Sequence, residues 1–281
     1  MPTILSCTDG SVYAPSVYDH TIWAAKRMDA NVRVLHMLSP NNRQMSSDFS
    51  GNVHPGDRES LLREIVELEE AANRIAQKRG RAILQAAEAH FQNAGFANVS
   101  TEQRRGTLVE SLEDFPADMV VIGKRGESAD FAKLHLGANL ERVIRSSTRP
   151  VFVASRAFQP IERGLIAFDG SPSAKKAVKF AIEKPLLKDL KLTLLTAGKP
   201  TSGIDDELEM TKGQLQEAGY EVNVRRSSKN PEIALAETIA EDGIDLLLIG
   251  AYGHSRIRQL IVGSTTTIMV RTCRVPVLMF R

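Results

Sequence analysis

The chain has 281 residues, 25% of them charged and 42% in the hydrophobic set. These are the proportions of a folded globular protein, and they exclude extensive disorder and collagen-like repetition. Thirty-six Lys and Arg against 34 Asp and Glu leave a net charge of +2, which gives no electrostatic footprint for nucleic acid or an anionic membrane. No run approaches the ~18 apolar residues of a transmembrane helix. The start, MPTILSCTDGS, lacks the basic-then-apolar order of a signal peptide, so a cytoplasmic protein is expected. Cys7 and Cys273 are too few for a disulfide framework and read as small buried side chains in a reducing compartment.

In chain order, TILSCT (3–8) is a short apolar run ended by Asp-Gly-Ser. Residues 17–28 carry apolar side chains at helical spacing, and NVRVLHML (31–38) reads as a second strand. The segment 39–57 is rich in Ser, Asn, Gly, Pro and Asp and reads as a loop. A helix-forming stretch over 58–94 follows, with Leu61, Leu62, Ile65, Leu68, Ala72 and Ile75 at helical spacing. Gly80 is its weak point, at a cost of ~1 kcal/mol relative to Ala. Only its C-terminal part is needed to cross a sheet, so the N-terminal part overhangs, and a solvated extension is preferred to a partner-binding helix. A strand near 98–104, a helix near 107–114, MVVIG (119–123), a helix at 138–147 and PVFVA (150–154) complete the first half.

The second half repeats this order. It runs GLIAF (164–168), a helix at 174–183, LKLTLLTA (190–197), a helix at 204–218, EVNVRR (221–226), a helix at 231–241, LLLIG (246–250) and VPVLMF (275–280). Asp9 maps onto Asp169 at an offset of 160, DMVVIGKRG (118–126) onto DLLLIGAYG (245–253) at 127, and RSSTRPVFV (145–153) onto RTCRVPVLM (271–279) at 126. Three matches in one order mark a duplication, with about 33 extra residues in the first copy. The expected domains are 1–156 and 162–281, joined by the Pro-containing connector RAFQPIE. Strand–helix alternation predicts a doubly wound parallel sheet in each. The runs MVVI and LLLI lack alternation, as strands buried on both faces do. Both copies end in short apolar strands, and antiparallel pairing of the two would cover an exposed edge, giving an internal pseudo-dimer.

After LLLI the second copy reads GAYGHSRIRQLIVGST: Gly250, two residues, Gly253, nine residues, Gly263, then Ser264 and Thr265. Gly250 would let a ligand approach the strand end, and Gly253 would permit a positive φ. Gly263 would open the last helix, whose unpaired N–H groups and partial positive charge suit a phosphate. Such a pattern arises by chance in about one chain of this composition in a hundred. Its place between a buried strand and a helix makes it more specific.

With these features the sequence resembles the universal stress protein family, in its tandem two-domain type. The features are the DGS after each first strand, the strand-ending Gly-x2-Gly, the Gly-Ser opening the last helix and the final Pro-Val strand. The resemblance implies an adenine-nucleotide α-hydrolase-like fold that binds ATP or another adenine nucleotide, with Mg2+ as a candidate companion. It places Asp169 at the adenosine, Ala197 along the adenine, and Gly250, Gly253, Gly263, Ser264 and Thr265 at the ribose and phosphates. His254 lies in the phosphate loop, where contact with a phosphate and simple solvation are both open. The first copy departs from the pattern. Gly123-x2-Gly126 is present, but ten residues precede Gly137, and Ala138 then stands where Ser or Thr is expected. Asp9, Met37 and Asn139 complete that altered set. The family also has members that lack the motif and bind no nucleotide.

Asp9 and Asp169 have two further readings, an Asp satisfied by turn amides and a phosphoacceptor. The six histidines, His20, His36, His54, His90, His135 and His254, show no metal-binding pair spacing. The Arg104–Arg105 and Arg225–Arg226 pairs read as solvated faces. Neither G-x-x-x-x-G-K, G-x-G-x-x-G nor G-x-S-x-G occurs, which disfavours P-loop, dinucleotide and α/β-hydrolase folds. A nucleotide-binding regulatory protein without rapid turnover is therefore expected. An enzyme cleaving ATP to activate a substrate, or a nucleotide-independent interaction module, are the alternatives. A homodimer is a further candidate assembly.

Overall fold

The computed structural model describes residues 1–38, 55–124, 138–198, 203–251 and 264–281, the side chains at 55–59, 138, 264 and 265 excepted. The first half runs β1 (Thr3–Thr8), α1 (Ala14–Met28), β2 (Asn31–Leu38), α2 (Pro55–Asn93), β3 (Val99–Arg105), α3 (Leu108–Asp114), β4 (Met119–Gly123), α4 (Ala138–Ser146) and β5 (Val151–Ala154). The second runs β6 (Arg163–Ala167), α5 (Pro172–Glu183), β7 (Lys191–Ala197), α6 (Ile204–Glu217), β8 (Val222–Ser227), α7 (Pro231–Glu241), β9 (Leu246–Gly250), α8 (Ser264–Thr272) and β10 (Val277–Phe280). A 3-10 turn at Pro185–Leu187 was not expected from the sequence.

All ten strands form one sheet in the order β3-β2-β1-β4-β5-β10-β9-β6-β7-β8. Each half is parallel within itself, and the halves meet where β5 and β10 pair antiparallel. Phe152 faces Leu278, and Val153 and Val151 face Val277 and Met279. All of these side chains are buried. Two strand edges that would otherwise be exposed apolar templates thus cover each other, as the terminal VFVA and VLMF runs led us to expect.

Both faces of the sheet are covered. Ile4, Val32, Val34, Met119 and Val121 point to the layer of α1 and α2; Leu5, Leu35, Val120 and Ile122 point to the layer of α3 and α4. That accounts for the unbroken apolar runs in β4 and β9. Cys7 belongs to this core, and burial pushes its thiol up to about 12, so it behaves as a small apolar side chain.

The outer strands β3 and β8 carry the two arginine pairs on their solvent-facing surface, where three of the four residues form ion pairs. Arg104 reaches Glu102 at 2.7 Å and Asp114 at 3.0 Å and lies over the Phe115 ring. Arg225 pairs with Glu241 and Asp242, and Arg226 with Asp205 and Glu209. Charged edges of this kind discourage strand addition by other chains.

The weakness expected at Gly80 also has a different cause. A Cβ there would stand 2.9 Å from Gln103 Cδ and from His36 Cδ2. Gly80 is where α2 comes down onto β2 and β3. Of residues 60–79 none is buried, whereas Gly80, Leu84, Ala87 and Phe91 are.

Candidate functional site

The Asp-Gly-Ser segments fold the same way in both halves, for local reasons. Asp169 Oδ1 accepts the Ser171 amide at 3.0 Å, and Asp9 Oδ1 accepts the Ser11 amide at 2.9 Å. Gly170 and Gly10 have φ of 74° and 72°, a region that strains other residues. In the second half Ser171 is the N-cap of α5, its hydroxyl accepting the Ala174 amide at 3.2 Å, with Pro172 in the first turn. The aspartates therefore do what the turn reading requires: each uses one carboxylate oxygen to fix the turn that leads from the first strand into the first helix.

These turns lie at the carboxyl ends of the strands. In each half the chain goes from its first strand to one side of the sheet and later returns on the other, so β1/β4 and β6/β9 are topological switch points. There open α/β sheets form their binding crevice. Ile166 pairs with Leu248 and Ser6 with Val121. Asp169 thus stands beside the end of β9 at Gly250, and Asp9 beside the end of β4 at Gly123. Ala197 closes β7 and Met37 lies near the end of β2, both half-buried on the α3/α4/α7/α8 side of the sheet. Ser111 Oγ donates to Met37 Sδ at 3.5 Å.

Gly250 is needed for a reason the sequence did not supply. A Cβ there would meet Ser173 Cβ at 2.9 Å and the Ala174 amide nitrogen at 3.3 Å. The close approach is therefore made by the protein's own α5. Buried Thr266, which sequence reasoning missed, donates from Oγ1 to Gly250 O at 3.1 Å and ties the first turn of α8 to the strand end. Ser264 and Thr265 open α8 and Asn139 is exposed in the first turn of α4. Gly126, Gly137, Gly253, His254 and Gly263, and the side chains of Ser264 and Thr265, lie outside the described residues.

Two further polar groups are tied into the fold. His20 on α1 is fully buried; its Nδ1 donates to Ser16 O at 2.6 Å, and its Nε2 is 3.2 Å from Ser155 Oγ. Burial pushes this imidazole down to about 4. Half-buried Lys124, between Gly123 and Gly126, crosses to the other half, where Nζ donates to Cys273 O and, at 3.0 Å, to Val275 O. It satisfies carbonyls just past α8, the end of a helix where cations are favoured. Burial lowers its ammonium to about 8. A cavity of about 500 Å3 opens there between the halves, with Lys124, Arg156, Arg271 and Arg274 among its walls. A second groove, about 660 Å3, runs between α5 and α6 and includes neither aspartate. Among the described residues no group of three His, Cys, Asp or Glu side chains is placed to hold a metal, and no helix is long and apolar enough to cross a membrane.

Comparison with known proteins agrees with this architecture. The sequence profile of the universal stress protein family matches twice, over residues 1–155 and 161–281. The universal stress protein Slr1230 of Synechocystis sp. is 37% identical over 287 aligned positions, covering 100% of both chains. Among solved structures, a universal stress protein from Archaeoglobus fulgidus superposes with a TM-score of 0.68 at 22% identity, covering 99% of this chain and 98% of that one. A putative universal stress protein from Pseudomonas aeruginosa gives a TM-score of 0.61 at 15% identity, covering 100% and 93%. With the family's profile matched in both halves and a full-length relative above one-third identity, the chain belongs to the universal stress protein family, with two copies of its fold in tandem.

Proposed function

We propose that the protein binds an adenine nucleotide, ATP foremost, in the crevice of its second half, and acts as a regulatory stress protein without rapid turnover. The observation that carries this reading is the run Gly250, Gly253, Gly263, Ser264, Thr265, spaced G-x2-G-x9-G-Ser-Thr. It spans from the end of β9 to the start of α8, beside Asp169. Asp169 and Ala197 would hold the adenosine part. The loop amides, His254 and the α8 N-terminus with Ser264 and Thr265 would take the phosphates. Mg2+ would accompany the phosphates. Asp9, Met37, Gly123, Gly126, Gly137 and Asn139 would form a weaker first site, because a ten-residue spacer and Ala138 replace the matching elements.

A hydrogen bond to a charged phosphate contributes roughly 1.5–3 kcal/mol, so one lost donor weakens the first site about 10- to 100-fold relative to the second. The test is calorimetric titration of ATP into Gly263→Val and Gly137→Val, with folding checked by circular dichroism. Gly263→Val should remove tight binding and Gly137→Val should leave it. The opposite result would refute the assignment to the second half.

A further inference from the structure

Residues 60–79 of α2 are none of them buried, and apolar side chains stand among their charges. Leu61, Leu68 and Ile75 are 41%, 64% and 68% exposed. With Ile65 and Ala72 they form a stripe spaced four, three, four and three residues apart, the seam of a two-stranded coiled coil. This stripe is not a continuation of the face that packs on the sheet. At 100° per residue it lies roughly 100° around the helix from the row Gly80, Leu84, Ala87 and Phe91. The helix therefore carries one apolar face for its own sheet and a second for something else.

We propose that this second face pairs antiparallel with the same face of a second copy of the chain. Two features select that occupant. After Arg63, charge is ordered along the arm, with Glu64, Glu67, Glu69 and Glu70 preceding Arg74, Lys78, Arg79 and Arg81. Antiparallel pairing about a two-fold axis near residue 70 sets Glu64 of each copy beside Lys78 of the other. The same register stacks Ile65 on Ile75 and Leu68 on Ala72 of the partner copy, and sets Leu61 opposite Arg79. A parallel pair would instead put Glu64 opposite Glu69 and leave Ala72 facing Ala72, a thin layer flanked by like charges.

The experiment is sedimentation equilibrium on the full chain at micromolar concentrations. Wild type should be a dimer. Leu68→Glu with Ile75→Glu should weaken dimerisation at least about 100-fold, because each dimer buries both residues twice. Its circular dichroism should still show a folded chain, because both side chains are exposed in the single copy, and its melting should lose the concentration dependence that dimerisation gives wild type. Glu64→Lys and Lys78→Glu should each weaken the dimer several-fold, and the two together should restore it, which a parallel pair would not do. A monomeric wild type, a dimer untouched by Leu68→Glu with Ile75→Glu, or no restoration in the charge swap would overturn the proposal.

Discussion

His20 couples stability to mild acid, and its environment sets the size of the effect. The imidazole is packed edge-on against Phe152 and Phe158, with ring centroids at 5.7 and 5.1 Å. Its Nδ1 proton goes to Ser16 O, while Ser16 Oγ donates to Ser155 O at 2.8 Å. This arrangement joins α1 to the segment leaving β5, next to the seam between the halves. Burial is the main cause of its lowered pKa, and Lys124 lowers it further; the Ser16 carbonyl and Asp19 act in the opposite direction. Because the folded value, about 4, lies below the ordinary 6.5, the unfolded chain takes up a proton first as pH falls. The stabilisation is therefore complete above pH ~6.5 and is lost progressively down to pH ~4, about 2 kcal/mol of it between pH 7 and 5. Trp23, the single tryptophan, sits one turn along the same helix with its ring 5.9 Å from Phe152, so it reports on this region. Urea denaturation followed by its fluorescence should show wild type losing about 2 kcal/mol more than His20→Gln over that pH range. Gln is less stable at pH 7 because it packs less well, but it does not titrate. If the two stability curves ran parallel from pH 7 to 5, the neutral buried imidazole would not be the cause.

Further outcomes follow from single contacts. Phe152→Ala should cost about 3–5 kcal/mol in chemical denaturation, because it empties a fully buried site on the short seam strand. Gly80→Ala should destabilise by about 1–3 kcal/mol through overpacking, despite a gain of ~1 kcal/mol in helix propensity; a more stable variant in the same assay would show that His36 and Gln103 move aside freely. Gly250→Ala should push α5 off the end of β9 and weaken ATP binding in calorimetry, because the Ala174 backbone nitrogen cannot rotate away. Steady-state assays with Mg2+ should give far fewer than ~1 turnover per second; ordinary enzyme rates would favour the ATP-cleaving alternative.

Most of the architecture was legible because it follows from local pattern. Buried parallel strands read as apolar runs, and the duplication appeared as three ordered offsets. What was not legible depends on which neighbour a residue meets across the fold. Gly250 looked like a place for a ligand because strand-ending glycines often are, but the atoms nearest its missing Cβ are those of Ser173, 77 positions earlier in the chain. Nothing in the neighbouring sequence announces the partners of Lys124, Arg225 and Arg226. Their partners lie on separate elements, at Cys273, Glu241, Asp242, Asp205 and Glu209. His20 carried no motif, since its role needs only burial and two neighbours.

The two aspartates show how one geometry could serve the fold and the proposed binding together. Each fixes its turn through one carboxylate oxygen at the carboxyl end of its strand, whether or not a ligand arrives. The halves share this turn and share the glycine that ends the neighbouring strand. They differ at the end of the second strand, Met37 against Ala197, and further on, where the second copy opens its last helix with Ser264 and Thr265 and the first with Ala138 and Asn139. In the proposed pose the phosphates would reach the second of these differences. ATP should therefore discriminate between the two crevices more strongly than adenosine does; equal discrimination by adenosine would place the difference at Met37 and Ala197.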